Sequence, residues 1–180
     1  MNDLVTIPLN ELDIQRSPVT SYFCALVQEK TGLSINSETK PEEIRKAILD
    51  FESQMFNAAK AGEFHDCNEE YVIKHHFGSG VYAREMHIPA GHVVVGKIHK
   101  HENLHFLSKG SATVITELGG IEEVKAGEMM KAPVGVKRLL ITHQDTIWTV
   151  LHSVTTTDLK QIENDVIAKD YSELLLLEGK

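Results

Sequence analysis

The pattern of apolar and polar residues divides the chain near residue 70. Before this point, apolar residues recur at helical spacing. After it, short runs rich in Val, Ile and Thr are separated by glycines, which is typical of antiparallel strands. We therefore predict a mainly β protein with a helical N-terminal extension over residues 1–70. Residues 71–180 should form an antiparallel β-barrel of the jelly-roll type with a short C-terminal helix.

The extension is predicted to contain two helices. Ser17-Pro18 is typical of a helix start, and Gly32 of its end. The second helix begins at Pro41 and ends near Gly62. Its apolar face would either pack on the outside of the barrel or pair with the same helix of another subunit. That face consists of Ile44, Ile48, Phe51 and Met55.

The barrel region contains seven predicted strands, and their spacing suits a barrel or jelly roll. Gly119-Gly120 between two of them indicates a hairpin. Asp158 is predicted to cap the C-terminal helix, whose apolar face would contain Leu159, Ile162 and Val166. The strands are Val81–Ile88, Val93–His101, Leu104–Ser108, Ala112–Leu118, Ile121–Val124, Lys137–Thr142 and Thr146–Val154.

Three histidines in the barrel region have the spacing of metal ligands. Side chains alternate along a strand, so His99 and His101 should project from the same face. If Glu102-Asn103 turns the chain, His105 approaches both of them. Three imidazoles from neighbouring strands would bind a divalent transition metal (Fe, Mn, Ni or Zn) and leave coordination positions open. The alternative is that some of these histidines are surface or hydrogen-bonded core residues.

The segment from Pro89 to Gly110 resembles the first motif of the cupins, G-x5-HxH-x3,4-E-x6-G. Some twenty residues later, Gly127, Pro133 and Gly135 keep the spacing of the second cupin motif, G-x5-PxG-x2-H-x3-N. Cupins are small β-barrels, so the resemblance implies that fold for about residues 71 to 155. The run from His75 to Glu85 is similar to one in small cupin-like proteins of tailed bacteriophages.

The motifs depart from the cupin pattern at three places. Seven residues instead of five separate Gly91 from His99. The position of the family's glutamate falls on His105 or on Asn103, depending on the direction of counting, and we take His105 as the third ligand because imidazole is the better donor. The family's fourth ligand, a histidine, is replaced by Arg138, which cannot ligate a metal.

Two cations are candidates for binding an anionic ligand. Lys97 has the same strand parity as His99 and should point into the barrel. Arg138 lies at a ligand position of the second motif, and its guanidinium suits carboxylate or phosphate. The alternative for Arg138 is a structural ion pair with Glu85 or Glu102. Trp148 and His152 share a parity that would let them line the same cavity, and Glu102 is a further, less favoured, metal ligand.

Composition narrows the classes of partner. The net charge of −8 argues against attraction to nucleic acid. No apolar run approaches the length of a membrane span, and the N-terminus lacks a signal-peptide pattern, so we expect a cytoplasmic protein, in the host cytoplasm if it is a phage protein. Cys24 and Cys67 are then expected to be reduced thiols. We also expect a homo-oligomer, because symmetric pairing is common among soluble proteins.

Two functions follow from these features. The first is a divalent-metal-binding cupin that acts on, or binds, a small anionic molecule through the three-histidine site. The alternative is a non-catalytic phage cupin, a binding or assembly protein with a structural metal or none. The fold does not decide between them, since cupin barrels carry many functions.

Overall fold

The computed structural model of the chain describes residues 6–8, 25, 38–62 and 70–178. The predicted helix from Ser17 to Gly32 lies, apart from residue 25, outside the described residues, as do Cys24 and Cys67. The helices are α1 (Pro41–Lys60), α2 (Leu159–Val166) and α3 (Tyr171–Glu178). The strands are β1 (Thr6–Pro8), β2 (Val72–Gly78), β3 (Val81–Ile88), β4 (His92–Val95), β5 (Ile98–His99), β6 (Asn103–Lys109), β7 (Ser111–Thr116), β8 (Gly120–Lys125), β9 (Met129–Ala132), β10 (Arg138–Thr142), β11 (Thr146–Ser153) and β12 (Ile167–Ala168).

Two five-stranded antiparallel sheets face each other. Sheet A has the order β1-β4-β10-β7-β8, and sheet B has the order β2-β3-β11-β6-β9. Within them, β4-β10-β7-β8 and β3-β11-β6-β9 form the two four-stranded halves of a jelly roll, in which the chain passes repeatedly from one sheet to the other. The predicted fold class, mainly β with a jelly-roll barrel, an N-terminal helix and a short C-terminal helix, is confirmed.

Helix α1 covers the outer face of sheet A. Its apolar face packs against alternate residues of β4, β7 and β10, and two ion pairs join the helix to the barrel. Arg45 Nε lies 3.0 Å from Glu117 Oε1, and Lys137 Nζ lies 2.8 Å from Glu52 Oε1. The apolar face of α1 is therefore buried against sheet A of the same chain. The buried residues of this contact are Ile44, Ala47, Ile48, Phe51 and Met55 of the helix and Val93, Val95, Ile115, Leu139 and Ile141 of the sheet.

The opposite face of sheet A packs against sheet B and forms the barrel interior. Val94 and Leu140 point inward, between outward-facing neighbours on the same strands. This explains the uninterrupted apolar runs in β4 and β10, since a strand buried on both faces needs no polar alternation. The interior cluster consists of Tyr71, Met86, Ile88, Val94, Leu107, Ala112, Val114, Val124, Leu140 and Trp148.

The prediction of one regular strand from Val93 to His101 is wrong. Strand β4 ends at Val95, and the chain re-enters a strand only at Ile98–His99, where β5 pairs with β12 in a separate two-stranded sheet. Between them, the Gly96 amide donates to the Arg138 carbonyl at 2.8 Å. Side-chain alternation holds only within a continuous strand, so the parity that joined His99 to His101 is lost.

The structure adds a strand before β3 and a helix near the C-terminus to the predicted elements. His75 and His76 lie outside the seven predicted strands, but the structure places them in β2, which forms the edge of sheet B. At the C-terminus, the predicted helix start is confirmed, because the Asp158 side chain accepts a hydrogen bond from the Gln161 amide at 2.8 Å. A further helix, α3, follows and buries Leu174 against Ile98.

No helix in the described part of the chain has the length and apolar character needed to cross a membrane.

Candidate functional site

A cavity of about 370 Å³ opens at one end of the barrel interior. Strands of both sheets form its walls, and α2 closes one side. Its apolar lining residues include Met86, Val94, Leu140 and Val150. Its lining residues with ionisable side chains are His75, Tyr82, Arg84, Lys97, His99, His105, Arg138, His152 and Glu163.

Arg138 is the most deeply placed cation of the cavity. It begins β10 with the same inward parity as Leu140, and its Nε is buried without a hydrogen-bond partner. No carboxylate of the described residues lies within ion-pair distance of its guanidinium. Burial lowers the pKa of Arg138 to about 10, so the side chain stays protonated at neutral pH. Neither Glu85 nor Glu102 pairs with it: Glu85 contacts Lys74, and Glu102 contacts Lys131.

Arg84 is a second buried cation in the same cavity. It lies on β3 between the inward-facing Tyr82 and Met86. Its only hydrogen-bond partner in the described ranges is the Met86 sulfur, 3.7 Å from Nη1. Burial is the main cause of a lowered pKa for Arg84. Like Arg138, this guanidinium therefore lies in the cavity wall with most of its donors unused.

Lys97 also lines the cavity, but its charge is paired. Its Nζ lies 2.6 Å from Oε1 of Glu163, a residue of α2. The same contact is the main cause of a lowered pKa for Glu163. The pair lies at the partly exposed edge of the cavity, where an ion pair contributes little net attraction for a third charge.

Three histidine rings lie close together beside Arg138. The rings of His99 and His152 stack with centroids 5.0 Å apart, and His105 meets His99 edge-on at 6.1 Å. Burial, followed by neighbouring positive charges, lowers the pKa of His99 to about 3 and that of His152 to about 4. The same causes hold the pKa of His105 well below its ordinary 6.5. All three rings are therefore neutral at neutral pH.

Two donors contact the ring of His105. The buried indole of Trp148 donates from Nε1 to Nδ1 at 2.8 Å. Arg138 Nη1 lies 2.8 Å from Nε2 and 3.2 Å from Nδ1. A metal ligand needs a free nitrogen lone pair, and in a neutral ring whose Nδ1 accepts from Trp148 the other nitrogen, Nε2, carries the hydrogen.

The structure brings together only two of the three predicted metal ligands. His99 and His105 line the cavity, whereas His101 is exposed and does not line it. Asn103, the alternative to His105, is buried and donates from Nδ2 to the His101 carbonyl. His152, instead of His101, is the third histidine of the cluster in the cavity. Among the described residues, no group of three His, Cys, Asp or Glu side chains is placed to hold a metal ion.

Sequence reasoning missed Arg84 and Tyr82 as lining residues. The signal for Arg84 was present: in β3 it has the same strand parity as Tyr82, Met86 and Ile88. An arginine at an inward position of an otherwise apolar series is a sign of a cavity or a buried pair. His75 lies on β2, and a hydrogen bond of 2.8 Å joins its Nδ1 to the Tyr82 hydroxyl.

Comparisons with known proteins find a low level of similarity in fold to solved structures. No family model matches the sequence, and no curated protein matches it. Solved structures with a related arrangement include KdgF from Halomonas sp. (17% identity, TM-score 0.44, covering 53% of this chain and 88% of that one). Ectoine synthase from P. lautus gives 12% identity and a TM-score of 0.45, covering 54% of this chain and 74% of that one.

A cupin-2 domain protein from Shewanella frigidimarina gives 13% identity and a TM-score of 0.40, covering 55% of this chain and 92% of that one. At these identities and TM-scores, the similarities assign neither a family nor a ligand to this chain. The fold assignment therefore rests on the strand order, and the function has to be argued from the cavity.

Proposed function

We propose that this protein is a cupin-like binding protein whose barrel cavity takes a small organic anion. The observation that carries the proposal is Arg138, a guanidinium buried in the cavity wall without a carboxylate partner. Burying an unpaired charge is costly, and such groups in proteins are usually neutralised by a partner. A bound carboxylate or phosphate would supply that partner.

The balance of charge in the cavity supports the same ligand class. The Lys97–Glu163 pair is neutral as a unit, and the three clustered histidines are uncharged. Arg84 and Arg138 then remain as two positive charges with no carboxylate within ion-pair distance among the described residues, although Glu163 attracts Arg84 and Glu117 attracts Arg138 from further away. An anion entering this cavity would meet both cations in a poorly hydrated setting, where charge-assisted hydrogen bonds are strong.

The size and the remaining walls limit the ligand to a small molecule. A volume of about 370 Å³ lies at the lower end of the range for ligand pockets. The apolar wall formed by Met86, Val94, Leu140 and Val150 would accommodate a hydrocarbon or aromatic body beside the charged group. We therefore favour a compact organic anion over a large cofactor.

Trp148 provides a direct experiment, because it is the only tryptophan of the chain and it lines the cavity. Titration with benzoate or inorganic phosphate should change its fluorescence in a saturable manner. Benzamide, a neutral analogue of benzoate, should produce a much weaker response. Equal responses to benzoate and benzamide, or none to either anion, would contradict the proposal.

A divalent metal remains the other ligand predicted from the sequence. His99, His105 and His152 would be its ligands in this cavity, in place of the predicted set that contained His101. The contacts of His105 with Trp148 and Arg138 do not fit that role, so we assign no step to a metal. Elemental analysis of protein purified without chelators tests this directly, and about one Fe, Mn, Ni or Zn per chain would restore the metal hypothesis.

Assembly is a second candidate function, favoured by the outer face of sheet B. Here Leu104 is 40% exposed and Met129 59% exposed on neighbouring strands. Two copies of the chain could cover such a face by symmetric pairing. Light scattering that gives the monomer mass of 20.1 kDa at all concentrations would exclude a homo-oligomer.

A further inference from the structure

His105 is contacted by two donors but can satisfy only one. A neutral imidazole carries a hydrogen on one nitrogen and a lone pair on the other. Trp148 Nε1 lies 2.8 Å from Nδ1, and Arg138 Nη1 lies 2.8 Å from Nε2. Neither donor can become an acceptor, because indole and guanidinium have only N–H groups. The same Nη1 also lies 3.2 Å from Nδ1, so it contacts the face of the ring between the two nitrogens and is in line with neither of them.

The surroundings determine which of the two donors forms a hydrogen bond with the lone pair of His105. Trp148 is 4% exposed, and its indole nitrogen has no other hydrogen-bond partner in the described part of the chain. Leaving that buried N–H unsatisfied would cost about 1–3 kcal/mol. Arg138 instead lines the open cavity and has several N–H groups to reorient. Trp148 therefore remains hydrogen-bonded to Nδ1, and this nitrogen carries the lone pair.

We infer that Trp148 fixes His105 with its proton on Nε2, so that the Nε2–H of His105 and the guanidinium of Arg138 form a donor pair beside the cavity. This inference rests on the proposed function and deepens it. The two groups can donate to the oxygens of one bound anion. His105 is then a hydrogen-bond donor to the ligand and has no lone pair available for a metal ion.

The donor pair specifies the chemistry of the ligand group. An oxygen that accepts from both a guanidinium and an imidazole N–H must carry high electron density, as in carboxylate or phosphate. A neutral amide oxygen accepts more weakly and leaves the Arg138 charge without a counter-ion. The ligand class is thus an oxyanion, and Arg84 is the second cation available to its other oxygens.

Nitrogen-15 NMR of the wild-type protein tests the tautomer without any ligand. The His105 resonances are identified by their loss in His105→Gln. The inference predicts a bare, acceptor-type Nδ1 and a protonated Nε2 at neutral pH. In Trp148→Phe, which removes the indole N–H, the fixed preference should be lost. A wild-type His105 protonated on Nδ1 would overturn the inference, whatever the anion affinity.

Binding of benzoate and inorganic phosphate, measured by calorimetry, tests the donor pair. His105→Leu should weaken the better-bound anion about tenfold, the scale of one lost hydrogen bond. His105→Gln retains both an acceptor for Trp148 and an N–H donor, so it should weaken binding only about threefold. A metal-ligand role predicts an equal loss for both variants, since Gln is a poor replacement for a ligating imidazole.

His76→Gln, a change at an exposed histidine of β2, provides the matched control and should leave the affinity unchanged. Thermal unfolding of each variant separates loss of binding from loss of folding. If the wild type binds neither anion, the proposed function fails, while the NMR result still decides the tautomer. If it binds an anion and His105→Leu binds as tightly, the donor pair is wrong and the proposed function stands.

Discussion

The two ends of the barrel interior are built from the same strands but carry opposite chemistry. On β6, the inward position changes from Leu107 to His105, and on β10 from Leu140 to Arg138. One end is a close-packed apolar core. Two residues away on each strand, the next inward-facing position carries an ionisable side chain that lines a cavity. The polar end contains Arg84, His99, His105, Arg138 and His152.

The difference separates residues that stabilise the fold from residues that do not. Burial of the apolar end contributes favourably, at roughly 25 cal/mol per Å² of apolar surface. The polar end buries two guanidinium groups and holds three histidines in their uncharged form, and both features cost stability. A cluster that lowers stability where Leu or Val would fit is best explained by a function.

Truncation at the apolar end should have the largest effect on stability. Leu107→Ala removes a fully buried side chain and leaves a cavity, so the free energy of unfolding should fall by about 3 kcal/mol. Leu104→Ala on the same strand, where the side chain faces outward, is the control and should cost about 0.5 kcal/mol. Denaturant unfolding measures both, and similar losses would mean that the interior is not packed as described.

Acid should destabilise the protein through the polar end. The pKa of His99 is about 3 and that of His152 about 4, against an ordinary 6.5. Between those values and 6.5 the unfolded chain binds more protons than the folded chain, so stability falls as the pH decreases through this window. We expect a loss on the order of 2 kcal/mol from about pH 7 to about pH 5.

The carboxylate Glu85, whose pKa is lowered to about 2 by its contacts with His87 and Lys74, affects stability only below its ordinary 4.5, and so outside this interval. The double variant His99→Gln with His152→Gln should reduce the pH dependence between about pH 7 and about pH 5, and His105, whose pKa is also lowered, contributes to what remains. An unchanged slope in that variant would show that other groups cause the acid sensitivity.

Arg138→Met should leave the free energy of unfolding of the unliganded protein within about 1 kcal/mol of the wild-type value or raise it. The substitution keeps the length of the side chain and removes a buried charge that lacks an acidic partner. Thermal unfolding without added anions measures this effect. A loss as large as that of Leu107→Ala would identify Arg138 as a structural residue.

Lys97→Met should have the smallest effect. Because Glu163 already neutralises Lys97, the affinity for benzoate should fall by no more than about threefold. Calorimetry of the wild type and the variant measures the ratio. A loss comparable to that of Arg138→Met would mean that Lys97 leaves Glu163 to contact the ligand.

The sequence predicted the polar end in part. Arg138 follows from the second motif and from inward parity on β10, and the alternation along β11 predicted Trp148 and His152 as lining residues. The misplacement of His101 has a physical cause: its parity depended on a regular strand, but β5 pairs with the distant β12 and ends at His99. A hydrogen bond between distant strands leaves no local pattern in the sequence.

The tautomer of His105 could not be predicted from sequence for a similar reason. It depends on an indole 43 residues away in the chain, brought beside it by the pairing of β6 with β11. Residue type and spacing identify a candidate histidine, but only the neighbours in space show whether it offers a lone pair or an N–H.

The most direct test of the anion-binding cavity is the dissociation constant of benzoate for the wild type and for Arg138→Met, measured by the fluorescence of Trp148. Removing the charge-assisted contact should weaken binding by about 2–3 kcal/mol, which corresponds to roughly 30- to 150-fold. Lys131→Met, at an exposed lysine of β9, should bind like the wild type. Equal affinity of the wild type and Arg138→Met would contradict the account.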